Sequence, residues 1–373
     1  MALNADPIKE FFLKRILLPK VFRIDVPGYV IGKYYTLQGQ NAFVRNIFLS
    51  EPFFISLEEK VSEAYGRNGM EKLYGAGKRF GYRFSELTRM PKSDLEFSVK
   101  MSFKFFESLY AESITVDVDI NHNVLTLDTS DLVVTRVNGG GLPLTVGGCA
   151  GIWGYFLNNF DGVECGVVPK GPGKYALICG PEVALQERGV QYYESKGKPE
   201  TINEKYVRFN KPPNPIPAGA FNVNKLMQTG LFMYEKGSLK FSLPNVRLIP
   251  VEISLPYDLE RLFGDQIMYE VAKESFMIMG KNLPKQTNSY SFLANMLTAL
   301  GYGIVTTEKT ATHENFNFMG VPWYAGAEES RFPVLRGAIE GFLEGQMGTK
   351  ISAIDIKSEL YSNSLSVSIG IAT

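Results

Sequence analysis

The stretch Gly151-Ile-Trp-Gly-Tyr-Phe-Leu-Asn-Asn-Phe-Asp-Gly162 has a counterpart near the other end of the chain, Gly337-Ala-Ile-Glu-Gly-Phe-Leu-Glu-Gly-Gln-Met-Gly348. Both fit G-x-x-x-x-F-L-x-x-x-x-G, and each leads into a run whose apolar residues alternate with the period of a strand, 163–168 and 351–356. A turn and a last strand follow each, over 175–179 and 365–369. One helix-then-hairpin unit is therefore expected twice.

The likeness continues upstream. Leu57 to Gly81 and Leu259 to Gly280 read as helical stretches interrupted by glycine, and Ser113 to Leu127 and Gly303 to Phe318 as extended segments. Each half is thus predicted to run helix, helix, strands, helix, hairpin, an α+β layer fold with helices beside an antiparallel sheet. Between the halves, Lys211-Pro-Pro-Asn-Pro-Ile-Pro217 is stiff and unsuited to a central strand. The expected organisation is an N-terminal amphipathic helix over 1–22, a first domain over 23–186, a Pro-rich linker over 187–222 and a second domain over 223–373.

Length and composition agree with two domains. The chain has 373 residues, 45% hydrophobic and 21% charged, enough apolar side chain for a core in each half. Its 39 basic and 39 acidic side chains cancel, which argues against nucleic-acid binding. No run approaches a membrane span and the N-terminal residues lack a signal-peptide pattern, so the expectation is a cytoplasmic protein with no transmembrane segment. Asp6-Pro7 caps a helix bearing Ile8, Phe11, Phe12 and Ile16 on one face and Lys9, Lys14 and Arg15 on the other. Packing on the protein is its expected role, with peripheral membrane contact as the alternative.

Gly66-Arg-Asn-Gly-Met-Glu-Lys-Leu-Tyr-Gly-Ala-Gly-Lys-Arg-Phe-Gly81, followed by Gly151-x-x-x-x-Phe156-Leu157 and Val167-Val-Pro-Lys-Gly171, resembles the 4-vinyl reductase domain, with a fainter copy in the second half. The resemblance implies the fold shared with haem-dependent nitric-oxide sensors and the small TRAPP vesicle-tethering subunits, in two tandem copies that could pair as an internal pseudo-dimer. It implies a noncatalytic binder or carrier of a small hydrophobic molecule such as a lipid, an aromatic or a tetrapyrrole. Its alternatives are a scaffold within a protein complex or homodimer and an accessory subunit in tetrapyrrole metabolism. Under that implication the aromatic residues expected around a ligand are Tyr74, Phe80, Trp153, Phe156, Phe276 and Phe342. Family members often carry an acidic residue in the strand where this chain has Cys165 or Gly166, and a cysteine where it has Tyr175.

The residues themselves offer little catalysis. No nicotinamide or flavin fingerprint occurs, and Asn138-Gly-Gly-Gly-Leu-Pro143 lacks the Gly-Lys-Ser/Thr of a phosphate loop, which leaves a connector or a lid. Cys165 and Cys179 lie about equally far from the Gly171–Gly173 turn, so a hairpin would bring them near each other across the strands. That permits a metal or redox role, although thiols buried in a core are commoner. His122 and His313 occupy roughly corresponding places, but Asn121, Asn123, Thr312 and Glu314 beside them favour solvated turns over metal ligation. The glycines around 147–151 and 337–341 are expected to let a helix press on its own sheet, with close approach to a ligand or to a partner helix as the alternatives.

Overall fold

The computed structural model describes residues 22–35, 41–88, 90–132, 142–195, 220–234, 241–244, 246–322, 332–351, 353–359 and 364–370. The N-terminal helix, the proline-rich heart of the linker and most of the Asn138 loop lie outside these residues.

Two runs of elements follow one order. The first comprises β2 (Val30–Tyr35), β3 (Asn41–Ser50), α1 (Glu51–Leu87), α2 (Leu95–Tyr110), β4 (Ser113–Asp119), β5 (Val124–Ser130), α3 (Pro143–Leu157), β6 (Glu164–Gly171) and β7 (Lys174–Gly180). The second comprises β9 (Phe241–Leu243), β10 (Val246–Glu252), α6 (Ser254–Asn282), α7 (Ser289–Ala299), β11 (Ile304–Lys309), β12 (His313–Met319), α8 (Pro333–Met347), β13 (Ala353–Glu359) and β14 (Ser364–Gly370). Short elements β1 (Phe22–Arg23), α4 (Glu182–Glu187), α5 (Val223–Gln228) and β8 (Met233–Tyr234) complete the described residues. Each half closes a four-stranded antiparallel sheet of matching topology, β4-β5-β7-β6 and β11-β12-β14-β13. The class is α+β.

A third sheet joins the halves, and the sequence reading did not anticipate it. Its order β1-β2-β3-β10-β9-β8 is palindromic about the β3–β10 pair, where Ser50 faces Leu248 and Asn46 faces Glu252. Pro250 sits inside this pairing, opposite Phe48. Proline is tolerated because the backbone groups here point away from the partner strand: the Phe48 N–H donates to the Leu300 carbonyl at 2.9 Å. The Pro250 carbonyl accepts from the Tyr110 hydroxyl at 3.0 Å. The missing N–H of Pro250 thus faces the side where β9, which pairs only as far as Leu248, has already ended.

Arg45 of β3 stitches the junction. Its Nη2 donates to the carbonyls of Gly28, Gly301 and Gly320 at 3.2, 3.3 and 2.6 Å, and its guanidinium lies over the Tyr29 ring. Burial lowers its pKa to about 10, which leaves it cationic at neutral pH. The long helices add buried polar contacts between the halves: Arg83 pairs with Asp258, and Ser56 Oγ donates to Glu274 at 2.9 Å. One apolar core runs through both halves.

Both long helices bend at a glycine, as the interrupted pattern suggested. Gly66 has φ 55° and Gly264 has φ 76°, the left-handed region that other residues adopt reluctantly. Against these helices lie α3 and α8, each entered through a residue at positive φ, Leu142 or Phe332, and a proline in its first turn. Their glycines press on the long helix of the same half, not on the sheet as expected. A β-carbon at Gly147 or Gly151 would overlap the carbonyl oxygens of Tyr74 or Lys78, and one at Gly337 or Gly341 those of Tyr269 or Lys273. This equivalence corrects the repeat alignment by one helical turn: Gly151 corresponds to Gly341, not to Gly337.

Candidate functional site

Turning the glycine edge of α3 toward α1 leaves its other face, Leu144, Thr145, Gly148, Cys149 and Ile152, looking into an apolar cavity. From α1 come Phe54 and Phe80, and from α2 come Phe103, Phe106 and Tyr110, spaced three and four residues apart on one helical face. The sheet supplies Ile114, Leu127, Thr129 and Leu177, with Leu132 beyond β5. The remaining wall belongs to the other half of the chain, Ile249 and Val251 from β10 and Leu255 from α6.

The cavity leaves about 100 Å³ open to the centres of water-sized spheres. That is about two-thirds of the roughly 150 Å³ at which an apolar protein cavity takes up benzene, so the space suits a ligand of only a few non-hydrogen atoms, up to about one small ring if the walls give slightly. None of its lining side chains is an acid, a base or an imidazole. Its polar atoms are the Thr129, Thr145 and Tyr110 hydroxyls and the Cys149 thiol, and two of these are engaged: Tyr110 with Pro250, and Thr129 with the Tyr175 carbonyl at 3.2 Å. Burial drives the Cys149 thiol well above its ordinary range, so it meets the cavity as a neutral S–H.

Of the six aromatic residues expected around a ligand, the cavity takes Phe80 alone. Tyr74 is buried elsewhere, because six residues along a helix turn a side chain to another face. Trp153 is fully buried and donates its indole N–H to the Asn123 carbonyl at 2.8 Å, while Phe156 packs in the core against Tyr155. In the second half Phe276 packs edge-on to Tyr302, and Phe342 stacks on Phe292.

Tyr74 instead anchors a buried polar cluster between α1 and β6. Its hydroxyl donates to Glu164, Lys78 Nζ reaches the same carboxylate at 2.8 Å and the Ser195 carbonyl at 3.1 Å, and the Cys165 N–H donates to the Tyr74 oxygen at 2.9 Å. Burial pushes Lys78 down and Glu164 up, while each holds the other charged. The second half repeats the spacing: Tyr269 and Lys273 both contact Glu340. These Tyr-x-x-x-Lys pairs lie where the glycine seams bring two helices together, and they escaped the sequence reading.

Glu58, buried on α1, has its pKa pushed up to about 8 by desolvation. Because its folded-state pKa is raised, the folded protein holds a proton that the unfolded chain releases above about pH 4.5, so the associated stability falls as pH rises toward 8. Glu58→Gln is expected to remove that slope and to be more stable than the parent at pH 8 by on the order of a few kcal/mol. Urea midpoints at pH 5 and pH 8 check this, and equal shifts at both would contradict it.

The candidate metal residues do not assemble a site. Cys165 and Cys179 do meet across β6 and β7, but His122 lies on the exposed β4–β5 turn with Nδ1 2.7 Å from Asp119. His313, half-buried at the start of β12, contacts Thr312. Among the described residues no group of three or more His, Cys, Asp or Glu is arranged to hold a metal.

The chain matches no protein-family model and no curated protein. The likeness to the 4-vinyl reductase domain therefore rests on the glycine motifs quoted above. No helix among the described residues is long and apolar enough to cross a membrane.

Proposed function

We propose that this protein is a noncatalytic binder of a small, neutral, apolar molecule, built as an internal pseudo-dimer of two units of 4-vinyl-reductase type. The observation that carries the reading is the cavity whose five aromatic rings and aliphatic neighbours come from both halves. A ligand buried there replaces water against apolar walls and needs no counter-charge. The same walls select the ligand class: a neutral apolar molecule, a short aliphatic or at most a single small aromatic ring, suits the volume, whereas a tetrapyrrole with carboxylates would meet no cation and too little room.

Gly148 gives the test a well-behaved variant. It faces the cavity, and a β-carbon there would meet nothing outside its own helix nearer than 3.9 Å. Gly148→Leu should fill the space, fold at least as stably as the parent, and bind nothing. Native mass spectrometry of the freshly purified chain and thermal shifts with neutral monocyclic aromatics read out binding. A ligand at a hundred times its Kd should stabilise the parent by about 2.7 kcal/mol and leave Gly148→Leu unmoved. No bound mass and no shift with any apolar ligand would end the reading and turn attention to a scaffolding role, tested by recovery of a partner complex.

A further inference from the structure

Cys165 and Cys179 stand directly opposite each other on β6 and β7, with their sulfur atoms 2.9 Å apart. The Cys165 N–H donates to Tyr74, away from β7, so the two cysteines form a non-hydrogen-bonded pair of the antiparallel ladder. Such pairs bring the Cα atoms to about 4.5 Å, within the span that a disulfide bridges. Both residues are fully buried. Leu177, two residues before Cys179 and on the same face of β7, lines the apolar cavity. An oxidant in the cavity is therefore one side chain from the pair. The uncharged wall admits a neutral oxidant and disfavours a charged one.

We propose that Cys165 and Cys179 are a redox-active dithiol, closed to a disulfide by a small neutral hydroperoxide that arrives through the cavity. One sulfur attacks the O–O bond, becoming a sulfenic acid as the hydroperoxide leaves as its alcohol. The second sulfur then displaces water from the sulfenic acid to form the S–S bond. The dithiol loses two electrons and two protons, and the hydroperoxide is reduced to alcohol and water. Burial disfavours the Cys165 thiolate, so the oxidation is slow. Cys149, also buried and close enough to Cys179 to feel its charge, is the competing partner. The inference needs entry to the cavity but no resident ligand, so it stands or falls separately from the binding function.

The test is oxidation of the reduced full-length chain with tert-butyl hydroperoxide, alkylation under denaturing conditions, and chymotryptic peptide mapping. Trypsin would leave Cys149 and Cys165 on one peptide, since no Lys or Arg lies between Arg136 and Lys170. The expected product has one alkylated cysteine, Cys149, and a Cys165–Cys179 linked pair that dithiothreitol releases. Closing that hairpin should raise Tm by several degrees. Gly148→Leu, with the route filled, should oxidise at least tenfold more slowly. Three free thiols after treatment, a link through Cys149, sulfinic acid without a link, or an unchanged rate in Gly148→Leu would each overturn the proposal.

Discussion

Gly151→Ala should cost about 3 kcal/mol or more of stability, whereas Gly148→Ala, three residues away on the same helix, should add about 0.5–1 kcal/mol. The new methyl at 151 would overlap the Lys78 carbonyl oxygen, a backbone atom that moves only if the whole of α1 moves away from α3. The methyl at 148 would enter the cavity, leaving the usual helix preference for alanine over glycine to act alone. Gly341→Ala should repeat the loss in the second half, where the obstacle is the Lys273 carbonyl. Urea-denaturation midpoints of the three variants check the set. Similar values for the substitutions at 148 and 151 would contradict this account of the helix seam.

Glu164→Ala should be comparably severe, at about 3–5 kcal/mol, because it strands a cation. Lys78 is fully buried, and without Glu164 its ammonium keeps the Ser195 carbonyl while the Tyr74 hydroxyl loses its acceptor. The cost is that of an uncompensated buried charge, not the worth of the ion pair, so Lys78→Met combined with Glu164→Leu should recover most of the loss. Chemical denaturation of the single and double variants measures the recovery. A double variant as unstable as Glu164→Ala would mean that the cluster contributes through packing that these residues cannot replace. The corresponding Lys273 is partly exposed and pairs with both Glu340 and Glu344, so removing Glu340 alone should matter less.

The repeated helix-hairpin units, the glycine bends of the long helices and the cross-strand cysteines were legible in the sequence, because each depends on local spacing. The repeat register was not. Glycines recur every four residues on the seam, at Gly147 and Gly151 in one half and at Gly337, Gly341 and Gly345 in the other, so a slip of one turn still matches glycine to glycine. The β3–β10 junction was not legible, because it pairs strands about two hundred residues apart and has Pro250 inside it, whose missing N–H is seen to be harmless only once the pairing is known. The site was legible only at Phe80. Which aromatic rings share a cavity depends on the rotation of three helices, and Ile249, Val251 and Leu255 become neighbours of Phe106 only when the two halves fold against each other.

That last feature couples occupancy to assembly. A guest that touches β10 and α6 as well as the first half would be held only while the halves are docked, so its binding free energy would add to the docking equilibrium and docking would tighten binding by the same factor. A chain cut in the linker would then hold its fragments together more firmly with guest present than without it. In this sense the second half would complete the receptor of the first, and a guest would act as a thermodynamic clasp between them.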